Sequence, residues 1–420
     1  MKLLLKQVLV TDANSPHNGQ QQDILIDNGF IIEIAQTIEV TDAQTIEQDG
    51  LQVSPGWVDL FSHFCDPGFE YKETLETGAN AAASGGYTHV FTLPNTLPVV
   101  YSKTQVEYVV QKSKLLPVNL LPLGAITRNG EGKELAEMYD MLNSGAIAFS
   151  DGLNPVQTAG LFLKALQYVK AFDGVLIQLP IDKSIGQFGL MNEGITSTRL
   201  GLPGIPEIAE ELLVARDLEL AKYSNSKIHI TGISTAKSVE LVKKAKADGI
   251  QVTCSVTPYH LFFNDEDLSE YNTHLKVDPP LRNKADMMAL RKAVEDNTID
   301  CIASHHRPQD WDNKVCEFEY AKPGMIGLES CFKVLNTICP SLQTEQIVRL
   351  LSSNARMIFK LSPGTIQEGA PADITLFQRD TTADFTKKDI KSKSYNSAFI
   401  DKQLKGSVIG IINKEQLYLN

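Results

Sequence analysis

The sequence predicts an α/β chain: a (β/α)8 barrel with a small β-sandwich domain formed from both termini. Three observations carry this. Residues 54–362 alternate short β-rich runs with helical patterns, and eight such runs close a parallel barrel. Residues 1–53 show strands and turns but no helix, and residues 363–420 match them in style. The 420 residues exceed a barrel of about 250, which leaves room for an accessory domain.

The N-terminal part reads as strands at Leu3–Val10, Asp23–Ile26, Phe30–Ile34 and Thr45–Glu47. Asp12-Ala13-Asn14-Ser15-Pro16 and Asp27-Asn28-Gly29 supply the turns between them. The barrel strands are expected at Val58–Phe61, Thr88–Leu93, Val118–Ala125, Ala146–Phe149, Val175–Gln178, Ile228–Ile230, Gln251–Val256 and Cys301–Ser304. Helical patterns lie between them at Thr77–Ser84, Lys103–Leu115, Gly132–Leu142, Leu161–Phe172, Glu207–Ser224, Ala236–Ala247 and Lys284–Val294. Gly364–Phe377 reads as two strands around a turn, followed by strands at Val408–Ile412 and Gln416–Leu419.

Composition narrows the function. The 39 basic and 51 acidic residues give −12, which argues against nucleic acid as a partner. The six cysteines form no C-x-x-C pair, so reduced, cytoplasmic cysteines are expected. Met1–Lys6 is too short for a signal sequence, and no apolar run reaches about 18 residues, so no membrane span is expected.

In a barrel of this kind, functional groups sit at the C-terminal ends of strands. The first such end is Ser54-Pro55-Gly56-Trp57-Val58-Asp59-Leu60-Phe61-Ser62-His63-Phe64-Cys65-Asp66-Pro67-Gly68. Cys65 and His63 share one side of an extended chain, which would suit a Cys–His nucleophile. No third residue orients the pair, so Cys65 reads as a small filler. Gly85-Gly86 lacks a phosphate-loop pattern and reads as helix termination. Lys387–Lys393 reads as a solvated, charged loop. His17, His89 and His274 read as surface or loop residues, and His229 as a structural histidine.

The opening stretch resembles the P-G-x-(V/I)-D-x-H-x-H-x-R-(D/E)-P-G signature of the dihydroorotase branch of the cyclic amidohydrolases (type I, multifunctional-complex type). Further segments are similar along the whole chain. They include Phe69–Glu73, Leu93-Pro94-Asn95-Thr96, Phe149-Ser150-Asp151-Gly152, Met191-Asn192-Glu193-Gly194, Thr257-Pro258-Tyr259-His260 and Ala370-Pro371-Ala372-Asp373. The resemblance implies a metal-dependent amidohydrolase barrel that opens a cyclic amide with metal-activated hydroxide and a carboxylate proton shuttle.

The resemblance also implies a ligand set, and this chain departs from it. His63 and Asp151 stand at family metal positions. Phe61, Leu179 and Gly232 stand where the family has metal-binding histidines, and His305 where it has the catalytic Asp. Cys65 replaces a substrate-binding Arg, Asp278 an Asn, and Gln309 the His of a mobile loop, while Asn95 is kept. The resulting expectation is a degenerate dihydroorotase homologue of pyrimidine biosynthesis without a cofactor. It would act as a non-catalytic partner of aspartate carbamoyltransferase and form a homodimer or higher oligomer. The alternative is an active, diverged cyclic amidohydrolase. It would hold one zinc on His63, Asp151 and His305, with Asn95 and Asp278 at the substrate. A third reading is a ligand-binding module that uses the emptied pocket.

Overall fold

A computed structural model describes residues 2–420; Met1, the first residue of the N-terminal run, lies outside them. The N-terminal strands are β1 (Lys2–Val10), β2 (Gln21–Asp27), β3 (Phe30–Ala35), β4 (Gln44–Glu47) and β5 (Gln52–Pro55). The barrel strands that follow are β6 (Trp57–Ser62), β7 (Tyr87–Thr92), β8 (Asn119–Gly124), β9 (Ala148–Phe149) and β10 (Val175–Gln178). A two-residue pair, β11 (Met191–Asn192) and β12 (Gly204–Ile205), interrupts the series. The barrel then resumes with β13 (Lys227–Ile230), β14 (Val252–Val256) and β15 (Cys301–Ile302). The C-terminal strands are β16 (Ile374–Asp384), β17 (Gln403–Asn413) and β18 (Gln416–Leu419).

The eight barrel strands follow sequence order, β6-β7-β8-β9-β10-β13-β14-β15, and every observed pairing is parallel. Each of the eight expected runs overlaps one of these strands. The ring closes between β15 and β6 through a side chain: buried Asp59 accepts from Ser304 N at 2.6 Å and from Ser62 Oγ at 2.7 Å. His63 N also donates to His306 O at 2.8 Å.

The terminal strands form one sheet in the order β18-β17-β16-β5-β1-β2-β3, with β4 also on β1. β16 runs antiparallel to β5, with Ile374 opposite Pro55, so the C-terminus docks on the strand that leads into the barrel. Trp57 links the two bodies. It is fully buried and packs on Phe332 and Phe377 at ring distances of 4.9 and 5.4 Å. Gly86, at φ +90°, lies against it; a Cβ there would come within 2.7 Å of the indole. Gly85 caps the helix Leu75–Ser84, in keeping with termination rather than phosphate binding.

Several local expectations are corrected. The helix expected over 132–142 covers only Met138–Asn143, because Gly130 and Gly132 take positive φ and Thr127 bridges Leu135 instead. The two strands expected over 364–377 are one, beginning at Ile374. Gly369, Ala370 and Ala372 bond the β2–β3 hairpin at Gly29 and Ile31 instead. Gln52–Pro55 forms a strand of its own. His89 is not a surface residue; its side chain is 14% exposed and meets Asn119 Nδ2 at 3.1 Å.

Candidate functional site at the barrel mouth

His63 follows the end of β6. Its Nε2 donates to Asn95 O at 2.9 Å, so the ring carries its proton there and Nδ1 faces Cys65 Sγ at 3.6 Å. Burial, then the nearby Arg307 cation, pulls its pKa down to about 3. Asn95 in turn donates from Nδ2 to Asp151 O and accepts from Leu153 N. Both carboxylate oxygens of Asp151 face Thr127, accepting from its N at 2.9 Å and from its Oγ1 at 2.5 Å. Burial raises this carboxyl to about 6. His63, Asn95 and Asp151 are thus joined, but as a hydrogen-bonded chain with its polar atoms engaged.

Cys65 is no activated nucleophile. Burial, then Glu73, pushes its thiol up to about 12, whereas a reactive cysteine needs a depressed value.

The positions that the resemblance assigns to metal pack against one another. Phe61 and His305 lie ring to ring, with centroids 4.5 Å apart and planes tilted by 32°. Phe61 and Leu179 are each 1% exposed and belong to the apolar cluster of Leu60, Phe91, Ile177 and Ala303. That cluster continues the barrel core into the mouth. Burial of two such side chains contributes roughly 1.5–3 kcal/mol each. Gly232, at φ +71°, leaves the space that the His305 ring fills.

His305 ends a buried polar relay. Its Nε2 meets Thr231 Oγ1 at 2.8 Å, which meets Ser255 Oγ at 2.8 Å. Ser255 Oγ lies 3.0 Å from His229 Nε2, and His229 Nδ1 lies 2.9 Å from Thr253 Oγ1. Every link is a neutral hydroxyl or imidazole. Burial holds His229 at about 3 and drives His305 well below its usual value. Adjacent His306 takes different partners: Gly327 N donates to its Nδ1, and its Nε2 faces Glu73 Oε2 at 3.4 Å. Burial lifts the Glu73 carboxyl, but His306, Ser392 and Thr77 outweigh it and leave the group lowered.

A loop seals the mouth. Asn396 holds it, donating from Nδ2 to Arg307 O and Gly324 O at 3.0 Å each, and accepting from Gln309 N. Gln309 Nε2 donates to Pro323 O at 2.9 Å. Beneath the loop, Phe61, Tyr259, Asp278, His305 and Arg307 enclose only ≈ 10 Å³ for the centre of a water-sized sphere, room for one water. Arg307 was not anticipated as a site residue. Its Nη1 is buried without a hydrogen-bond partner. Asn396 and Thr231 carried no signal in sequence, since each acts through a contact remote in the chain.

These residues do not fit a metal ion. Nε2 of both His63 and His305 is engaged, both Asp151 oxygens are engaged, and Phe61, Leu179 and Gly232 offer no donor. Among the described residues, no group of three or more His, Cys, Asp or Glu is arranged to hold one.

Fold and mouth together define an amidohydrolase-type barrel with a terminal β-sheet. Solved structures agree on the fold. The L-hydantoinase (dihydropyrimidinase) from Arthrobacter aurescens superposes with a TM-score of 0.86 at 22% identity, over 100% of this chain and 96% of that one. The dihydropyrimidinase from Brevibacillus agri gives 0.86 at 19%, over 100% and 95%. Residues 50–238 match the family described as Dihydro-orotase-like. The dihydroorotase of Syntrophus aciditrophicus is 40% identical over 414 residues, 97% of each chain. That of Geobacter sp. (strain M21) is 37% identical over 421 residues, 99% of each. The chain belongs to the dihydroorotase-like family.

Proposed function

We propose that this chain is a dihydroorotase homologue of cytoplasmic pyrimidine biosynthesis that no longer hydrolyses dihydroorotate. It serves as a non-catalytic, self-associating partner of aspartate carbamoyltransferase. The observation that carries the loss of activity is the stacking of His305 on Phe61 at 4.5 Å, in the place the family gives to metal. Without the metal there is no lowered water pKa and no polarised carbonyl for ring opening. The relatives' names support the pathway, and whole-chain coverage supports a retained scaffold.

Protein purified without chelators is analysed for metal and assayed with dihydroorotate, then tested for co-purification with aspartate carbamoyltransferase and for size in solution. The expected result is no stoichiometric metal, no turnover and a stable complex. Stoichiometric zinc with hydrolysis would overturn this reading in favour of an active, diverged single-zinc enzyme. Absence of the complex would remove the partner role.

A further inference from the structure

The sealing loop has an outer face. There, residues of the loop, of the charged run 387–393 and of 394–396 surround a second cavity of ≈ 280 Å³. It shares no lining residue with the space beneath the loop. Tyr71, Trp311 and Tyr395 line it and are 57%, 73% and 51% exposed. Three large aromatic side chains gathered in the open mark a binding surface more often than an inert one.

The same cavity is cationic in a chain of net charge −12. Lys314, Lys387 and Lys393 line it, against the single carboxylate of Asp310, which already accepts from Asn313 Nδ2. The Lys387 amine, which lines the cavity, makes no hydrogen bond or ion pair among the described residues; only its carbonyl is engaged, accepting from Ile390 N. Lys314 Nζ donates to Thr273 O at 2.9 Å and to Lys276 O at 3.4 Å, which leaves a third N–H. His274 also faces the cavity, and its Nδ1 is buried with no partner. Burial, then Arg307 and Lys276, pulls the Lys314 amine down to about 7. An anion here would relieve that crowding.

We infer that this outer cavity binds a nucleoside monophosphate, with the base against Trp311, Tyr71 and Tyr395 and the phosphate on Lys314, Lys387 and Lys393. Both halves of the ligand are needed. Lysines alone attract any anion as point charges. Stacking on aromatic side chains contributes roughly 1–3 kcal/mol per base and tolerates any base. The 387–393 run, which reads in sequence as a solvated loop, becomes the cationic wall because Ser392, Ser394 and Asn396 fasten it to the barrel.

Trp311 and Trp57 are the only tryptophans, and Trp57 is fully buried, so fluorescence changes report on Trp311. Titration with UMP and AMP is compared with uridine and with inorganic phosphate, and calorimetry repeats it for Lys387→Gln/Lys393→Gln and Trp311→Ala. All three changed or probed side chains are exposed, and circular dichroism checks that the variants fold. Saturable quenching by both nucleotides is expected, about tenfold tighter than by uridine or phosphate, and weakened about tenfold in each variant. No saturation below about 5 mM overturns the proposal. So does equal binding of phosphate alone, which denotes a simple anion site, and so do variants that bind as wild type. Metal content is untouched by either outcome, so this proposal and the loss of hydrolysis fail separately.

Discussion

The ring of His305 occupies the space that a side chain on Gly232 would need. A Cβ at 232 would stand 2.6 Å from His305 Cε1 and 3.2 Å from Leu179 Cδ1. The two positions are therefore coupled in packing: the observed place of the His305 ring leaves no room for a side chain at 232. Phe61 completes the arrangement by stacking on the other partner. Phe61, Leu179 and Gly232 here enclose one buried imidazole in a small apolar core.

Placing a histidine at 232 singly should therefore harm the fold without creating a metal site. Gly232→His must displace His305 and adopt φ +71°. Overpacking and the left-handed backbone together cost about 3 kcal/mol. His305→Asp in the same chain removes the clash and should recover part of that loss. Urea denaturation of both single variants and the double variant measures the coupling. Additive losses would show that the two positions are independent.

The barrel was legible because each strand run is short, rich in β-forming residues and bounded by turn residues, as in Val175–Gln178 and Gln251–Val256. The helix at 132–142 was misread because positive φ at Gly130 and Gly132 folds the segment back on Thr127, and the paired strands at 364–377 because Gly369 bonds to Ile31, far along the chain. Local pattern carries no information on those partners. At the site, residue type alone made one thing legible: Phe61 and Leu179 have no donor. Their mutual packing was not, since positions 61, 179, 232 and 305 meet only in three dimensions. The engagement of Asn95 by Asp151 and Leu153 was hidden for the same reason.

Asn396 should act as the latch of the sealed mouth. Asn396→Ala removes two donated bonds and one accepted bond and leaves Arg307 O, Gly324 O and Gln309 N without those partners. A loss of about 2–3 kcal/mol is expected. Hydrogen exchange should accelerate across 307–326 while the strands keep their protection. Unchanged exchange in that segment would mean that the loop is held elsewhere.

Thiol chemistry should bypass Cys65. It is fully buried, as are Cys254, Cys301, Cys331 and Cys339, and only Cys316 is partly exposed. A thiol-specific reagent at neutral pH should modify about one cysteine quickly in the native protein. Cys316→Ser should abolish that phase and Cys65→Ser should leave it intact. Rapid alkylation at Cys65 would revive the Cys–His nucleophile.

The buried relay should appear in the pH dependence of stability. His229 is held at about 3 by burial, against an unfolded value near 6.5. In the acid range the unfolded chain thus binds a proton that the native one refuses, so stability rises with pH across that window. The contribution is complete above about pH 6.5 and is lost as pH falls towards about 3. At pH 5 the loss from this one residue is about 2 kcal/mol. His63 and His260, also near 3, act in the same sense. Asp151 and Asp217, raised by burial to about 6 and about 7, act in the opposite sense. Those groups are common to wild type and variant, so a difference measurement isolates His229. His229→Gln keeps a donor and an acceptor for Thr253 and Ser255 but cannot titrate. Urea denaturation at pH 7.5 and pH 5 should show the wild type losing about 2 kcal/mol relative to this variant. Parallel pH profiles would mean that His229 is not held neutral in the folded protein.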